Sequence, residues 1–428
     1  MLRGLGWRIG PLALLFALPL AGCRQGPAPL TGEQGGAQGN DVHGAIVLAV
    51  GINNDDTIDA ALLEDLNQRV GDLIRSYRTL HPRVHVELQP FPEDRLAGEL
   101  KRRSRDGLAP DLVMVNGTTA RSLSQQGLTR PIRIPDAVAD ELDPGALARV
   151  RQPDGRLIGL PLLLQPQLAC YDRRRVKEPP TTLEELLARN GGRMQAGLPI
   201  DPINLAWTLG PLGTLDTVKR LADGQPATAS DRARMRAWLD WLANAHLQQG
   251  IHFLTDQDAL VKGLANGRLD WISCRSTQLG RLQLRLGPHL GVTVLPSGPG
   301  GPASPITRER LLAFGINSTP TQRRAAESLA SFSINPLVQR TITLRDLTSL
   351  PVNRKLHLPT GSSRTLETLE AARAQGAVNE AATMPLLHVD AEGTERFRRL
   401  ISGFLYGEID AETTSGRLVR ALSAQSAP

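Results

Sequence analysis

The apolar and polar positions of this chain change period several times. The run AIVLAV (45–50) is continuously apolar, as expected of a parallel strand buried on both faces. Beyond it, Leu62, Leu66, Val70, Leu73, Ile74 and Tyr77 fall at helical spacing, and Pro82 stops the helix. VHVEL (84–88) alternates like a strand, RLAGELKRRSRDG (95–107) reads as a second helix closed by Gly107, and DLVMV (111–115) is another buried strand. Strand, helix, strand, helix, strand predicts an α/β domain with a mostly parallel sheet.

The alternation continues. LIGLPLLL (157–164) leads into LACYD (168–172), and TTLEELLARN (181–190) follows with Thr182 and Glu185 placed as a capping box. RARMRAWLDWLANAHL (232–247) predicts an amphipathic helix with Trp238, Trp241 and Leu242 on its core side. LDWISC (269–274) and GVTVLP (291–296) are strand candidates, AAESLASFSI (325–334) is helical, and two helices close the chain from Ala391 and Ala411. No repeat of fixed period is present.

The first residues carry a different pattern. Arg3 and Arg8 are the only charges before Cys23, and residues 11–21 are all apolar. Eleven helical residues span roughly 16 Å, about half a bilayer core, which suits a secretory signal and not a membrane-spanning helix. Leu20-Ala21-Gly22-Cys23 resembles the lipobox of bacterial lipoproteins, in which the cysteine is acylated and becomes the first mature residue. Residues 1–22 are therefore expected to be a lipoprotein signal peptide. Residues 23–44, rich in Gly, Gln, Pro and Ala, are expected to be the lipidated Cys23 and a flexible linker. Two or more acyl chains make a stable anchor, which would hold the protein on the extracytoplasmic face of the cell envelope.

Removing 22 of the 428 residues leaves 406, more than one comfortable core and enough for two lobes. Without Arg3 and Arg8, 47 basic residues face 43 acidic ones, a small and dispersed surplus. The densest basic run, KRRSR (101–105), has no interleaved aromatics, so it reads as a solvated helix face and not a nucleic-acid groove. Two cysteines remain, Cys170 and Cys274, and both a disulfide and two buried free thiols fit the sequence. There is no G-x-x-x-x-G-K-[ST], H-E-x-x-H, C-x-x-C or G-x-S-x-G. GPGG (298–301) reads as a turn, and Pro82 between His81 and His85 disfavours a shared metal-binding face. No metal or cofactor is expected from these motifs, and an enzyme built on scattered carboxylates has no positive support.

Five blocks carry a resemblance over most of the chain: GLAPDLVMVNGTTARSLSQQGLTRPI from Gly107, GRLIGLPLLLQPQLACYDRRRVKEPPTTLEELL from Gly155, LVKGLANGRLDWISCRS from Leu260, VTVLPSGPGG from Val292, and RRAAESLASFSINPLVQ … LPVNR from Arg323. In this order, after a lipobox, they resemble the solute-binding lipoproteins of bacterial ABC importers, in the carbohydrate branch related to maltose-binding protein. The resemblance implies a two-lobed periplasmic-binding-protein fold of type II-like topology, with flanking helices and a hinge cleft. It implies lobe I at 45–157 plus 306–357 and lobe II at 158–305 plus 358–428, with crossings near Gly159, Pro305 and Pro351. It also implies a monomer that captures a small sugar or glycoside and delivers it to permease subunits, with no nucleic-acid partner and no membrane contact beyond the lipid anchor. An exported sensor or scaffold of the same fold is the alternative from another class.

A sugar site needs planar polar groups for hydroxyls and a flat apolar surface for the ring. Turns at the carboxyl ends of parallel strands supply such groups. Asn53, Asn54 and Asp55 follow the first strand. Asn116, Thr118 and Thr119 follow the third. Gln165 and Gln167 stand at the expected lobe crossing, and Trp207 is flanked by Gly and Pro. Where the family often has N-G-P-W, this chain has Ser273, Cys274, Arg275 and Ser276, and its Cys170-Tyr171-Asp172 replaces a common Y-Y-N. With aromatics at only 4%, these departures argue for a small solute over a long oligosaccharide, and Arg275 keeps an anionic sugar derivative open.

Overall fold

The computed structural model describes residues 42–52, 60–188, 194–387, 389 and 391–423. The signal segment, Cys23, the linker as far as 41, and Asn53, Asn54 and Asp55 lie outside the described residues.

Two sheets organise the chain. The first has seven strands: β1 (Gly44–Ile52), β2 (Val84–Pro92), β3 (Leu112–Asn116), β4 (Thr129–Arg130), β5 (Leu160–Gln165), β11 (Arg308–Gly315) and β12 (Leu350–Pro351). The second has five: β6 (Gln167–Asp172), β7 (Ala196–Pro199), β8 (Ile251–Leu254), β9 (Trp271–Arg275) and β10 (Leu290–Thr293). The first runs β12-β5-β11-β3-β1-β2 with β4 on β11, and the second β10-β6-β9-β7-β8. Pairing is parallel within β2-β1-β3 and β9-β7-β8. It is antiparallel where β11, β12, β6 and β10 join, so the sheets are mixed and not mostly parallel. For β6 and β11 the cause is the crossing chain: each arrives from the other lobe and so enters its sheet from the opposite end.

The helices predicted from apolar spacing lie over these sheets. Helix Ala60–Leu80 buries Val70, Leu73, Ile74 and Tyr77, and the Tyr77 ring packs on Phe332 of helix Pro320–Ser333. Half of the expected box is seen at Thr182: its Oγ1 caps the helix by accepting from Glu185 N at 3.1 Å, while the Glu185 carboxylate accepts from Thr181 N, one residue before the cap, at 2.8 Å. Gly298 and Gly301 exchange backbone hydrogen bonds as the expected turn. Helix Ala229–Leu247 buries Trp238, Leu239 and Leu242.

The lobe boundaries shift. β5 belongs to the first sheet, so the chain crosses at Pro166 and not near Gly159. On the return, Leu295, Ala303 and Ile306 are still in the second lobe's core before β11 begins at Arg308. The third passage leads from β12 to helix Arg364–Ala377, which packs against β6 and β10. Cys170 and Cys274 form a disulfide between β6 and β9, with Cα atoms 5.8 Å apart and both side chains fully buried. The strand register brings them together diagonally, with Cys170 opposite Ile272 and Leu168 opposite Cys274.

Asp231 anchors the second lobe's longest helix. Its carboxylate accepts from Arg220 Nη2 at 2.9 Å, from Thr217 Oγ1 at 3.2 Å, and from Thr228 N at 2.8 Å in a reciprocal capping box. The Arg220 hydrogen bond, followed by those from Thr228 and Thr217, holds this carboxyl well below the usual carboxylate range against the opposing effect of burial. A depressed folded pKa contributes stability above the unfolded value of about 3.9, and the contribution is lost as pH falls through the folded value. Asp231→Asn is expected to cost about 1.5–3 kcal/mol near neutral pH. In urea titrations its deficit should shrink steadily below about pH 4; a deficit that stays constant into acid would deny Asp231 that role.

Candidate functional site

At one edge of the first sheet, the carboxyl ends of β1, β3 and β5 meet the start of β11. Asn116 lies opposite Arg310, and Gln165 lies opposite Arg308. Strand alternation sends Arg308 and Arg310 to one face and Glu309 to the other. On the first face, Arg310 donates to Glu93 Oε1 at 2.7 Å and to the Gly51 carbonyl. Glu93 also accepts from Asn116 Nδ2 and, at 2.6 Å, from Thr119 Oγ1. Asn116 Oδ1 in turn caps helix Gly117–Gln125 by accepting from Thr119 N at 2.9 Å. Gly51 is required here: a Cβ would lie 2.6 Å from Glu93 Cγ and 2.9 Å from Val115.

The second lobe brings its own groups to the crossing. Gln167 Nε2 donates to the Asn204 carbonyl at 2.6 Å, and Arg308 reaches from the first sheet to Asn204 Oδ1 at 2.8 Å. Asn204 stands in helix Pro202–Leu205, whose cap Asp201 accepts from Asn204 N at 2.8 Å. Gln167 is paired with Arg275, the last residue of β9, and Ser276 N donates to the Pro166 carbonyl at 3.1 Å. Gln167 Oε1 and Ser276 Oγ are buried and have no hydrogen-bond partner among the described residues. Buried polar atoms are nearly always satisfied, so these two mark places where a hydroxyl-bearing ligand or water would gain most.

On the Glu309 face, Arg149 of helix Pro144–Val150 donates from Nε to Glu309 Oε2 at 2.8 Å and pairs through Nη1 with Glu380 of helix Glu380–Leu387. Arg121 donates to the Arg149 carbonyl at 2.5 Å; burial pulls its guanidinium below the ordinary arginine value, and the Glu309 charge opposes this. Arg373 adds a contact to Asp143 at 3.4 Å. A cavity of about 230 Å³ opens between these elements, lined by Arg149, Leu164, Thr307, Arg373 and Glu380 among others. A larger hollow, about 600 Å³, lies on the first lobe's surface beside Arg121 and Arg151; no second-lobe residue lines it.

Asn116, Gln165, Gln167 and Arg275 are thus brought to one interlobe edge, with Thr118 in the first turn of the helix that Asn116 caps. Asn53, Asn54 and Asp55 lie outside the described residues. Trp207 is a correction. It is fully buried in the second core, so it presents no ring face for stacking; its carbonyl accepts from Ser304 N at 3.1 Å. Glu93, Asn204, Arg308 and Arg310 were missed. The one available signal was the charge alternation Arg308-Glu309-Arg310 ahead of an apolar run, the mark of a strand whose end projects charge to both faces. The assembled groups are guanidiniums, amides, hydroxyls and carboxylates held in ion pairs. Such a set binds hydroxyls, because it offers donors and acceptors in fixed planes.

Residues 72–385 match the family model described as bacterial extracellular solute-binding protein. Solved structures share the fold. The GacH receptor of Streptomyces glaucescens, determined unliganded and with acarbose, is 14% identical with a TM-score of 0.69, covering 90% of this chain and 99% of that one. A maltodextrin-binding protein of L. casei is 16% identical with a TM-score of 0.67, covering 91% and 100%. An ABC-transporter solute-binding protein of Thermotoga lettingae, bound to α-D-tagatose, is 13% identical with a TM-score of 0.66, covering 90% and 100%.

Proposed function

The chain belongs to the bacterial extracellular solute-binding proteins, and from that premise we propose that it captures a small sugar or glycoside between its lobes and delivers it to an ABC permease. The observation that carries this reading is the convergence, at Gln165-Pro166-Gln167, of polar side chains from both lobes: Asn116, Arg308 and Arg310 from one, Asn204 and Arg275 from the other. Similar folds bound to acarbose and to tagatose support the choice of solute class. The lipobox at Cys23 supports anchoring by acylation, and among the described residues no helix is long and apolar enough to cross a membrane.

The test is thermal unfolding of a chain that begins at Arg24, against sugars, polyols, glycosides and sugar acids. A ligand at 100 times its Kd adds about 2.7 kcal/mol, or about 3 °C for a chain of roughly 400 residues. Gln165→Ala is expected to weaken the hit about tenfold, the value of one lost hydrogen bond. Trp207→Ala is expected to cost about 3–5 kcal/mol of stability while leaving Kd unchanged, because Trp207 is core. A folded protein silent across the panel would defeat the sugar reading. A hit confined to sugar acids would move the assignment to an anionic derivative held by Arg275, Arg308 and Arg310.

A further inference from the structure

The pole of the first lobe farthest from the cleft has a surface that solute binding does not use. β1, β2 and β3 run parallel, so their amino ends share one edge, and antiparallel β11 ends there at Gly315. Helix Ala60–Leu80 ends beside the start of β2, and helix Glu93–Arg105 ends before the start of β3. The second of these presents Glu93 to the cleft at one end and its basic residues to the pole at the other. Leu80, Leu108 and Ile316 are exposed there by 64%, 68% and 40%. Around them Arg78, Lys101, Arg102, Arg105 and Arg324 are exposed, against Glu99, which pairs with Arg102 at 2.6 Å, and Asp106. The run KRRSR therefore sits beside exposed leucines, at the end of its helix.

The chain also reaches the folded body at this pole. Gly44 N donates to the Arg83 carbonyl in the turn after Leu80, and a Cβ on Gly44 would touch Thr321, five residues beyond Ile316. Cys23 precedes Val42 by only 19 residues, at most roughly 65 Å of extended chain. We infer that this pole is a docking surface for an anionic lipid bilayer, with Leu80, Leu108 and Ile316 entering the headgroup region and the basic residues facing lipid phosphates. The physics is the pairing of a weak apolar contact with a polybasic patch, each insufficient alone. Docked so, the lobe would hold its cleft edge away from the membrane by about the length of β1, roughly 26 Å for nine residues. The inference rests on the proposed anchoring at Cys23 for its place in the cell, but its test does not.

The experiment is co-sedimentation of the chain beginning at Arg24, which keeps every described residue, with vesicles of phosphatidylcholine alone or with 30% phosphatidylglycerol. Binding is expected only with phosphatidylglycerol, and it should weaken as salt rises. Lys101→Gln with Arg105→Gln should weaken it about 30-fold, since each basic residue near a charged surface contributes a factor of about five. Leu80→Ser with Leu108→Ser should weaken it as well, and all four positions are exposed, so unchanged melting curves confirm that the variants fold. Equal pelleting with both vesicles, no pelleting, or insensitivity to the basic pair would overturn the inference. So would self-association without vesicles that the leucine pair abolishes, because the patch would then take a second copy. Mass spectrometry of the full chain for acylation at Cys23 tests the anchoring separately.

Discussion

Replacing Cys170 and Cys274 together with alanine is expected to cost about 4 kcal/mol and to lower the melting temperature by about 5 °C. The bridge closes a span of 104 residues, and the loop-entropy model gives close to 5 kcal/mol for such a length. Two features argue that most of this is realised. Both cysteines are fully buried within the hydrophobic core, so the alanine pair also loses packing. The bridge also ties β6 to β9 next to the pairing of Gln167 with Arg275. Loss of the bridge should therefore weaken ligand binding as well as stability, and calorimetry with a ligand titration reads both. A double variant that melts with the native chain would mean that the two cysteines do not pair in solution.

Much of the architecture was legible because it is written in local periods. AIVLAV, the spacing from Leu62 to Tyr77, and the cap at Thr182 each depend on residues a few positions apart, and the strand, the helix and the cap form as expected. β11 was not legible, because Arg308, Glu309 and Arg310 break the apolar signature that marks β1 and β3. Those charges are tolerated only by partners far along the chain: Glu93 lies 217 residues from Arg310, and Arg149 lies 160 from Glu309. The position of a family-like block sets the crossing near Gly159, and only the pairing of Leu160–Gln165 with β11 places that segment in the first sheet and moves the crossing to Pro166. In the site, Arg275 stood out as a departure from the pattern of the resembled family, and end-of-strand chemistry found Asn116, Gln165 and Gln167 as polar groups at strand ends. It failed for Trp207, whose flanking glycine and prolines suggest an open loop; Ser304 and the second core close over it. Pairing of the two cysteines depended on the register between β6 and β9, which only the fold reveals.

The second large effect is expected at Arg149. Its side chain is 5% exposed and lies between Glu309, 6% exposed, and Glu380, 26% exposed. Arg149→Met leaves Glu309 as a buried carboxylate without its guanidinium, and breaking a buried pair in this way costs about 3–5 kcal/mol. Glu380 can turn to solvent, so Glu380→Gln should cost no more than about 1 kcal/mol. Adding Glu309→Gln to Arg149→Met removes the orphaned charge and should recover most of the loss, a coupling that a double-mutant cycle in urea measures. Recovery would show that the cost is that of an uncompensated charge; failure to recover would assign it to packing of the arginine stem. The same cycle bears on function. Arg149 belongs to the first lobe and Glu380 to a helix whose Ala382 and Leu386 are buried in the second core, so their pair spans the hinge. Glu380→Gln should therefore loosen the lobes more than it destabilises either one, seen as a larger radius of gyration in small-angle scattering without ligand and a smaller difference once ligand is bound. An unchanged radius with unchanged affinity would make the pair a local contact with no part in closure.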